Sequence, residues 1–214
     1  MQNFLGIIVS YIFIAIIIVS AKFFVKDNSE ASRKYIHILL CNWWFIAMYF
    51  FKSPIWASFV PLTFVIINYI SYKKNIISVM EREKQDGLGT VYYAISLLVL
   101  AIYSFGIIKN PYIGMVGILV MGYGDGLAAV IGQTVPSKKF KIGDTTKSVA
   151  GSLTMFVISF IIISIFLVSN SVALWQIKSL LLALVITVIE AVSIKGTDNI
   201  TVPVLTSLLV TFLI

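Results

Sequence analysis

Charged side chains are scarce in this sequence. Only 12% of its 214 residues are Asp, Glu, Lys or Arg, whereas 59% are hydrophobic, and the mean hydropathy is +1.01. This composition excludes an ordinary soluble domain and predicts a polytopic membrane protein. The single cysteine, Cys41, excludes an internal disulfide. Although the net charge is +7, no soluble basic face remains, so we expect no nucleic-acid partner.

Long apolar runs account for most of the chain. A helix that crosses a bilayer needs about 20 residues, and the runs predict an all-α fold with eight spans, or seven if the short last run does not cross. The predicted spans are 4–19, 35–51, 54–72, 89–108, 111–131, 148–169, 175–194 and 201–214. Glycines beside Asp125 predict that the fifth span is a helix broken at the Gly-Asp-Gly motif. We therefore expect residues 1–214 to form a single integral membrane catalytic domain, with a short interfacial helix at 75–86.

Basic residues are distributed unevenly between the predicted loops. All 16 lysines and arginines except Lys52, Lys109 and Lys178 lie in the loops after the first, third, fifth and seventh spans. By the positive-inside rule, these loops are cytoplasmic and both termini lie outside. Membrane topology alone would explain many of these lysines, but all nine acidic residues also lie on or near the predicted cytoplasmic side. The sequence therefore predicts one polar site at the cytoplasmic face. A transporter would instead need a site that is accessible from both sides of the membrane.

The stretch 121–152, MGYGDGLAAVIGQTVPSKKFKIGDTTKSVAGS, concentrates the polar chemistry. Asp125 ends an apolar run, where an ionised carboxylate costs about 2.5 to 3.5 kcal/mol and needs compensation. Its neighbours Gly124 and Gly126 allow the backbone to approach a ligand closely. Positive charge follows within a few turns, at Lys138, Lys139, Lys141 and Lys147. This combination predicts a metal-bound phosphate as the ligand.

A basic group precedes the second predicted span, in SRKYIHILL. Arg33 and His37 are four residues apart and share a helix face, so a guanidinium and an imidazole can reach one anionic group together. Lys34 adds a further positive charge. The alternative interpretation is a membrane-edge anchor beside a packed histidine.

An acidic group lies near the end of the seventh predicted span, in IEAVSIKGTDNITVP. Glu190 and Asp198 are separated by Gly196, which allows the chain to fold back. Mg²⁺ takes one or two carboxylates together with phosphate oxygens, so Asp125 and Asp198 would be a sufficient protein contribution. The alternative interpretation is a polar turn before the last span.

These motifs, taken in order, resemble the polyprenol kinase family, which includes phytol kinase, dolichol kinase and a CTP-dependent diacylglycerol kinase. The matching pieces are RKYIH at 33–37, GDGLAAVIG at 124–132, KSVAGS at 147–152, Glu190, and DNITVP at 198–203. Ala150 departs from the family pattern, in which an acid is common at this position. The chain is also much shorter than dolichol kinases.

The resemblance implies a membrane enzyme that uses CTP and Mg²⁺ to phosphorylate a lipid alcohol. The acceptor would be an isoprenoid alcohol of the phytol, farnesol or polyprenol type, or diacylglycerol. The expected catalytic residues are Asp125, as metal ligand or base, Lys147 and His37. The expected nucleotide- and phosphate-binding residues are Arg33, Lys34, Gly124, Gly126, Lys138, Lys139, Lys147, Ser148, Gly151 and Ser152. The expected metal ligands are Asp125, Asp198, Glu190 and Asn199.

Two other functions fit the sequence less well. A cytidylyltransferase of the CDP-diacylglycerol synthase type shares a Gly-Asp motif, but its longer acidic C-terminal signature is absent from this chain. A non-enzymatic membrane transporter or scaffold would explain the apolar spans without using the polar motifs. The oligomeric state is left open by the sequence.

Overall fold

The computed structural model of the protein describes residues 1–24, 29–74, 88–142 and 145–214. The interfacial helix predicted at 75–86 lies outside these ranges. Within them the chain forms helices joined by short turns, together with one β-hairpin. The elements are α1 (Gln2–Phe24), α2 (Ser29–Leu40), α3 (Trp43–Phe50), α4 (Pro54–Lys74), α5 (Gly89–Ala101), α6 (Pro111–Leu119), α7 (Gly126–Thr134), β1 (Lys139–Ile142), β2 (Thr145–Ser148), α8 (Val149–Ser169), α9 (Trp175–Val192) and α10 (Asp198–Thr211).

Six helices within the described residues are long and apolar enough to cross a membrane. They are Gln2–Phe24, Pro54–Lys74, Gly89–Ile107, Pro111–Thr134, Val149–Ser169 and Trp175–Val192. α10, which matches the short last run, has only 14 residues. The predicted total of seven or eight spans is therefore not confirmed, whereas a helical membrane architecture is.

The predicted second span is divided into two helices. α2 ends at Leu40 and α3 begins at Trp43, with a turn at Cys41 and Asn42 between them. The side chains at this turn satisfy carbonyls of α2: Cys41 Sγ donates to the Ile38 oxygen at 3.0 Å, and Asn42 Nδ2 donates to the Leu39 oxygen at 3.1 Å. Since a hydropathy window sees only apolar residues on both sides, it merges the two helices into one span.

The helix that contains the Gly-Asp-Gly motif does not break there. α6 continues into α7 through a π-helical turn, Val120–Asp125, so residues 111–134 form one helix. The glycines serve helix packing instead: a Cβ at Gly122 would overlap the Cys41 side chain, and a Cβ at Gly124 would lie 2.8 Å from Met155 Sδ. The glycines that suggested a break therefore bring neighbouring helices close to this one.

The β-hairpin between α7 and α8 was not anticipated by an all-α prediction. β1 and β2 pair antiparallel, with Lys139 opposite Ser148 and Ile142 opposite Thr145. The hairpin leads directly into α8, because the Ser148 hydroxyl accepts from the Gly151 N–H at 3.1 Å and caps the helix. Each strand has only four residues, and β2 is polar throughout, so the sequence of the hairpin gives no clear signal for strands.

The helices bury one face in a shared core and expose an apolar face outwards. α1 is typical: Gly6, Ser10, Ile14, Ile17 and Ala21 are buried. Its opposite face exposes Ile8, Ile12 and Ile16 at four-residue intervals. Exposed apolar stripes of this length indicate contact with lipid rather than water. The starts of α2, α8 and α10 and the ends of α7 and α9 meet at one end of the bundle, where the polar motifs lie.

Gly117 offers a test of this close packing. A methyl group at Gly117 would overlap the Pro203 carbonyl oxygen and the Ser207 hydroxyl of α10. We expect Gly117→Ala to destabilise the fold by about 1 to 3 kcal/mol through overpacking, despite the gain in helix propensity. Gly106→Ala is the comparison variant, since its Cβ would meet only the Pro54 side chain, at 3.2 Å, a much milder contact than that at Gly117. Thermal unfolding in detergent compares the two variants, and equal stability of both would contradict the packing argument.

Candidate active site

Asp125 is the centre of a buried charge cluster. Asp125 is the last residue of the π-helical turn, and it is only 5% exposed. Lys34 Nζ approaches its Oδ2 atom to 3.3 Å and His37 Nε2 approaches the same atom to 3.4 Å. Lys34 and His37 are three residues apart on α2 and therefore share the helix face that packs on α7. The sequence predicted that Arg33 and His37 reach one anionic group together, whereas in the structure it is Lys34 and His37 that approach Asp125.

His37 is held in a defined orientation. Its Nε2 atom lies 3.2 Å from the Met121 carbonyl oxygen as well as near Asp125. Two acceptors on one ring nitrogen place the proton on that nitrogen. The Tyr93 hydroxyl donates to the His37 carbonyl at 3.2 Å, and the two rings meet edge to face with centroids 4.9 Å apart. α5 therefore contacts both the backbone and the ring of His37 through Tyr93.

A second ion pair joins the hairpin to α9. Lys147 on β2 donates to the Glu190 carboxylate, and Glu190 is 3% exposed. Burial acts to lower the pKa of Lys147, but the negative charges of Glu190, Asp125 and Asp198 outweigh it and hold this pKa above its ordinary value. Lys147 consequently remains positively charged throughout the neutral range.

Three carboxylates converge beside these ion pairs. Asp125, Glu190 and Asp198 each offer an oxygen atom within 4.8 Å of the other two. Such a set fits Mg²⁺, which binds hard oxygen ligands and needs only one or two carboxylates when phosphate oxygens complete its shell. Asn199, the fourth expected ligand, is 7% exposed and lines a small cavity with Arg33 and His37. Of the expected metal ligands, the structure therefore brings together the three acids.

A cavity of about 480 Å³ opens next to the carboxylates. It is lined by Lys34, Asp125, Ala128, Ala129, Gly132, Gln133, Lys139, Thr145, Thr146, Lys147, Ser148, Gly151, Ser152, Glu190, Ser193, Lys195, Gly196 and Asp198. The start of α8 contributes Ser148, Gly151 and Ser152 to this lining. Its first N–H groups, those of Val149, Ala150 and Gly151, already donate to oxygens of the chain, so the polar side chains and the lysines are the groups left to bind phosphate. Acids on one wall and four lysines around the cavity can hold a cation and a polyphosphate together.

Several expected phosphate-binding residues lie elsewhere. Gly124 and Gly126 face helices rather than the cavity, since a Cβ at Gly126 would overlap Ile38 of α2. Lys138 is not among the lining residues, although its carbonyl accepts from the Val149 N–H at 3.0 Å. Arg33 lines the smaller cavity on the other side of α2. The predicted residues that do line the large cavity are Lys34, Lys139, Lys147, Ser148, Gly151 and Ser152.

Lys195 is a site residue that the motifs did not indicate. It lies in the turn between α9 and α10, where Lys195 and Gly196 both have positive φ, 51° and 80°. Gly196 is required there, because a Cβ would come within 2.8 Å of Gly89 Cα. The Lys-Gly pair after an apolar helix signals a left-handed turn, but only the packed structure shows that the turn directs Lys195 to the cavity.

Comparison with known proteins identifies the family. The chain is 32% identical to a phytol kinase of Synechocystis sp. over 185 residues, which are 82% of this chain and 76% of that protein. It is 30% identical to phytol kinase 1, chloroplastic, of Arabidopsis thaliana over 203 residues, which are 85% of this chain and 66% of the plant protein. Neither a family model nor a solved structure matches the chain. This similarity shows that the chain belongs to the polyprenol kinase family, which includes these phytol kinases.

Proposed function

We propose that this protein is a CTP-dependent lipid-alcohol kinase with Mg²⁺ as its metal, acting on an isoprenoid alcohol of the phytol, farnesol or polyprenol type or on diacylglycerol. The observation that carries the proposal is the meeting of Asp125, Glu190 and Asp198 beside a cavity that Lys34, Lys139, Lys147 and Lys195 line. The names of the relatives, which are phytol kinases, support a lipid alcohol as acceptor. CTP as donor follows from the family resemblance.

In the proposed reaction, the hydroxyl oxygen of the lipid forms a bond to the γ-phosphorus as the bond to the bridging β,γ-oxygen breaks. The products are a lipid monophosphate and a nucleoside diphosphate, and the hydroxyl proton is released. Phosphoryl transfer depends mainly on positioning and on neutralising charge. Lys139, Lys147 and Lys195 would hold the phosphate oxygens, and Lys34 would keep the Asp125 carboxylate in place.

Asp125, Glu190 and Asp198 would hold the Mg²⁺, which when bound would neutralise phosphate charge. Asp125 has two possible roles in this arrangement, as a metal ligand or as the base that receives the hydroxyl proton. His37 orients the carboxylate from the α2 side. We place the site at the cytoplasmic face of one integral membrane domain, because the lysine-rich end of the bundle contains it and basic loops remain in the cytoplasm.

The reaction class is tested by product analysis. Purified protein with Mg²⁺, CTP and phytol should yield phytyl monophosphate and CDP, since the γ-phosphoryl group is transferred. Competition between CTP and ATP in one assay identifies the donor, and a panel of phytol, farnesol, polyprenols and diacylglycerol identifies the acceptor. Pyrophosphate with a CDP-lipid would indicate a cytidylyltransferase instead, and the absence of both products would favour a transporter or scaffold.

The charge of Asp125 is tested by Asp125→Asn. This change keeps size and hydrogen bonding but removes the charge, so activity should fall by about 100-fold or more, as when one group that stabilises transition-state charge is lost. Insertion should persist, because a neutral amide costs less than a carboxylate in a membrane helix. Turnover and detergent elution profile are measured together, with Asp198→Asn in parallel. Normal turnover at saturating Mg²⁺ would leave Glu190 and Asp198 as the candidates, and an unfolded variant would indicate a structural ion pair.

The phosphate role of Lys147 is tested by Lys147→Met. Loss of its positive charge should raise the KM for the nucleotide about tenfold or more, given the strength of charge-assisted hydrogen bonds to phosphate. Lys178→Met is the matched control, because Lys178 lies at the start of α9, about 18 Å along the helix from Glu190. Kinetics at varied nucleotide and fixed lipid separate the two variants. Equal KM values for both would contradict a phosphate contact.

A further inference from the structure

We infer that the acceptor lipid binds on the side of His37 away from Asp125, in a narrow crevice between α1, α2, α3, α4 and α5. This inference rests on the proposed function and assigns the site of its lipid substrate. The crevice consists of two adjoining cavities of about 40 and 30 Å³. Leu40, Asn68 and Tyr93 line both of them, so the two cavities adjoin at these side chains. We call the first the mouth and the second the inner crevice.

The mouth provides polar atoms for a hydroxyl group. His37 turns Nε2 and Cδ2 towards Met121 and Gly126, which leaves Nδ1 on the opposite edge of the ring. No residue of the π-helical turn or of α7 lines the mouth, so this opposite edge faces it. With the proton on Nε2, the neutral ring offers Nδ1 as an acceptor.

Asn199 supplies the second polar group of the mouth. It is 7% exposed, and its Oδ1 atom has no hydrogen-bond partner in the part of the chain that the structure describes. A buried amide oxygen without a partner is unusual and needs an explanation. A lipid hydroxyl that donates to this oxygen would satisfy it, and His37 Nδ1 is the alternative acceptor for the same proton. The hydroxyl would then lie one imidazole ring away from Asp125.

The inner crevice has the chemistry of a lipid tail site. Trp43, Phe64 and Leu97 surround it, and its one amide is already used, since Asn68 Nδ2 donates to the Thr90 oxygen at 3.0 Å. The polar mouth and apolar interior therefore match the two ends of a long-chain alcohol. The nucleotide cavity shares no lining residue with this crevice, so donor and acceptor approach Asp125 from different sides.

Binding of a whole isoprenoid chain requires the inner crevice to widen. The contact between α1 and α4 is where it can open towards lipid: Tyr11 and Thr63 share one hydrogen bond of 2.7 Å, and the Tyr11 and Phe64 rings lie 6.0 Å apart. Pro61 in the same stretch of α4 removes one helical hydrogen bond and eases bending. The tail would enter between these helices directly from the bilayer.

A larger apolar cavity, about 430 Å³, lies between α6 and α8 and is the competing tail site. It reaches Tyr112 and Asn170 at the far end of the bundle, and Tyr112 is about 20 Å along the helix from Asp125. The close packing of Gly124 against Met155 separates it from the charge cluster. A lipid in this cavity would leave its hydroxyl distant from the carboxylates.

Photolabelling distinguishes the two cavities. A phytol analogue with a diazirine in its tail is irradiated with the full-length protein in lipid nanodiscs without nucleotide, and the labelled residues are mapped by mass spectrometry. We expect label on 61–64 of α4 and 94–97 of α5, removed by excess phytol. Label confined to Met115 and Ile162 in the other cavity, or label that phytol does not compete away, would overturn the inference.

Two alanines on α5 provide a matched pair of variants. Ala94 lines the inner crevice, whereas Ala101 is equally buried two turns further on and does not. Ala94→Leu should raise the KM for phytol about tenfold or more, the effect of a few methylene groups in an apolar pocket, and reduce crevice labelling. The KM for the nucleotide should not change. Ala101→Leu should change neither value, and equal effects of both variants on the phytol KM would contradict the site.

If Ala94→Leu does not fold, Leu97→Ala replaces it. Removing this side chain widens the crevice, so the preference of the enzyme among alcohol substrates should shift towards those with bulkier tails, while labelling of the crevice is retained. An unchanged substrate preference would count against the site. The labelling needs no turnover, which separates the two proposals. If the crevice is labelled, excess phytol removes the label, and no phosphorylated product forms, the proposed kinase activity is contradicted but the lipid site is not. Phosphorylated product with label elsewhere would contradict the lipid site but not the kinase.

Discussion

A carboxylate buried among apolar helices must be neutralised where it lies, because water cannot follow it there. Asp125 imposes this requirement, and Lys34 and His37 on α2 meet it. They reach it because α2 is separate from α3: both helices pack on α1, but α2 also packs on α7 whereas α3 packs on α6. The hairpin brings Lys147 to the same point from the other side, where Glu190 fixes it. The division between α2 and α3 and the β-hairpin therefore both bring positive charge to the buried carboxylates.

Sequence patterns predicted the parts of this protein that depend on composition and on local order. Apolar runs indicated the membrane helices, and the ordered motifs indicated the family, which the comparisons confirm. Glycines were misleading at Gly124, because one residue type serves both chain breaks and close helix contacts. The assembly of Asp125 with Glu190 and Asp198 could be proposed from chemistry alone. The contribution of Lys195 could not, since a turn between helices has no local signal for its direction.

His37 approaches Asp125 through Nε2 and also lines the mouth of the crevice, so one ring touches both the charge cluster and the crevice. The carboxylates and lysines line a separate cavity, and the inner crevice is mostly apolar. Tyr93 contacts the ring from α5. In the proposed arrangement, the water-soluble and the lipid-soluble substrate would reach this ring from separate cavities. This arrangement would also explain why the charged residues gather at one end of the bundle rather than along its length.

The π-helical turn at 120–125 has a consequence for the direction of Asp125. A π turn accommodates one more residue than an α turn, and each residue of an α-helix advances the direction of its side chain by about 100°. If residues 120–125 wound as ordinary α-helix instead, the same number of residues would rotate Asp125 and α7 by about 100° relative to α6 and away from α2. Every side chain of the site would still be present in the sequence, yet the site would be gone. The direction of the Asp125 side chain therefore depends on how this one turn is wound as well as on the residues in it.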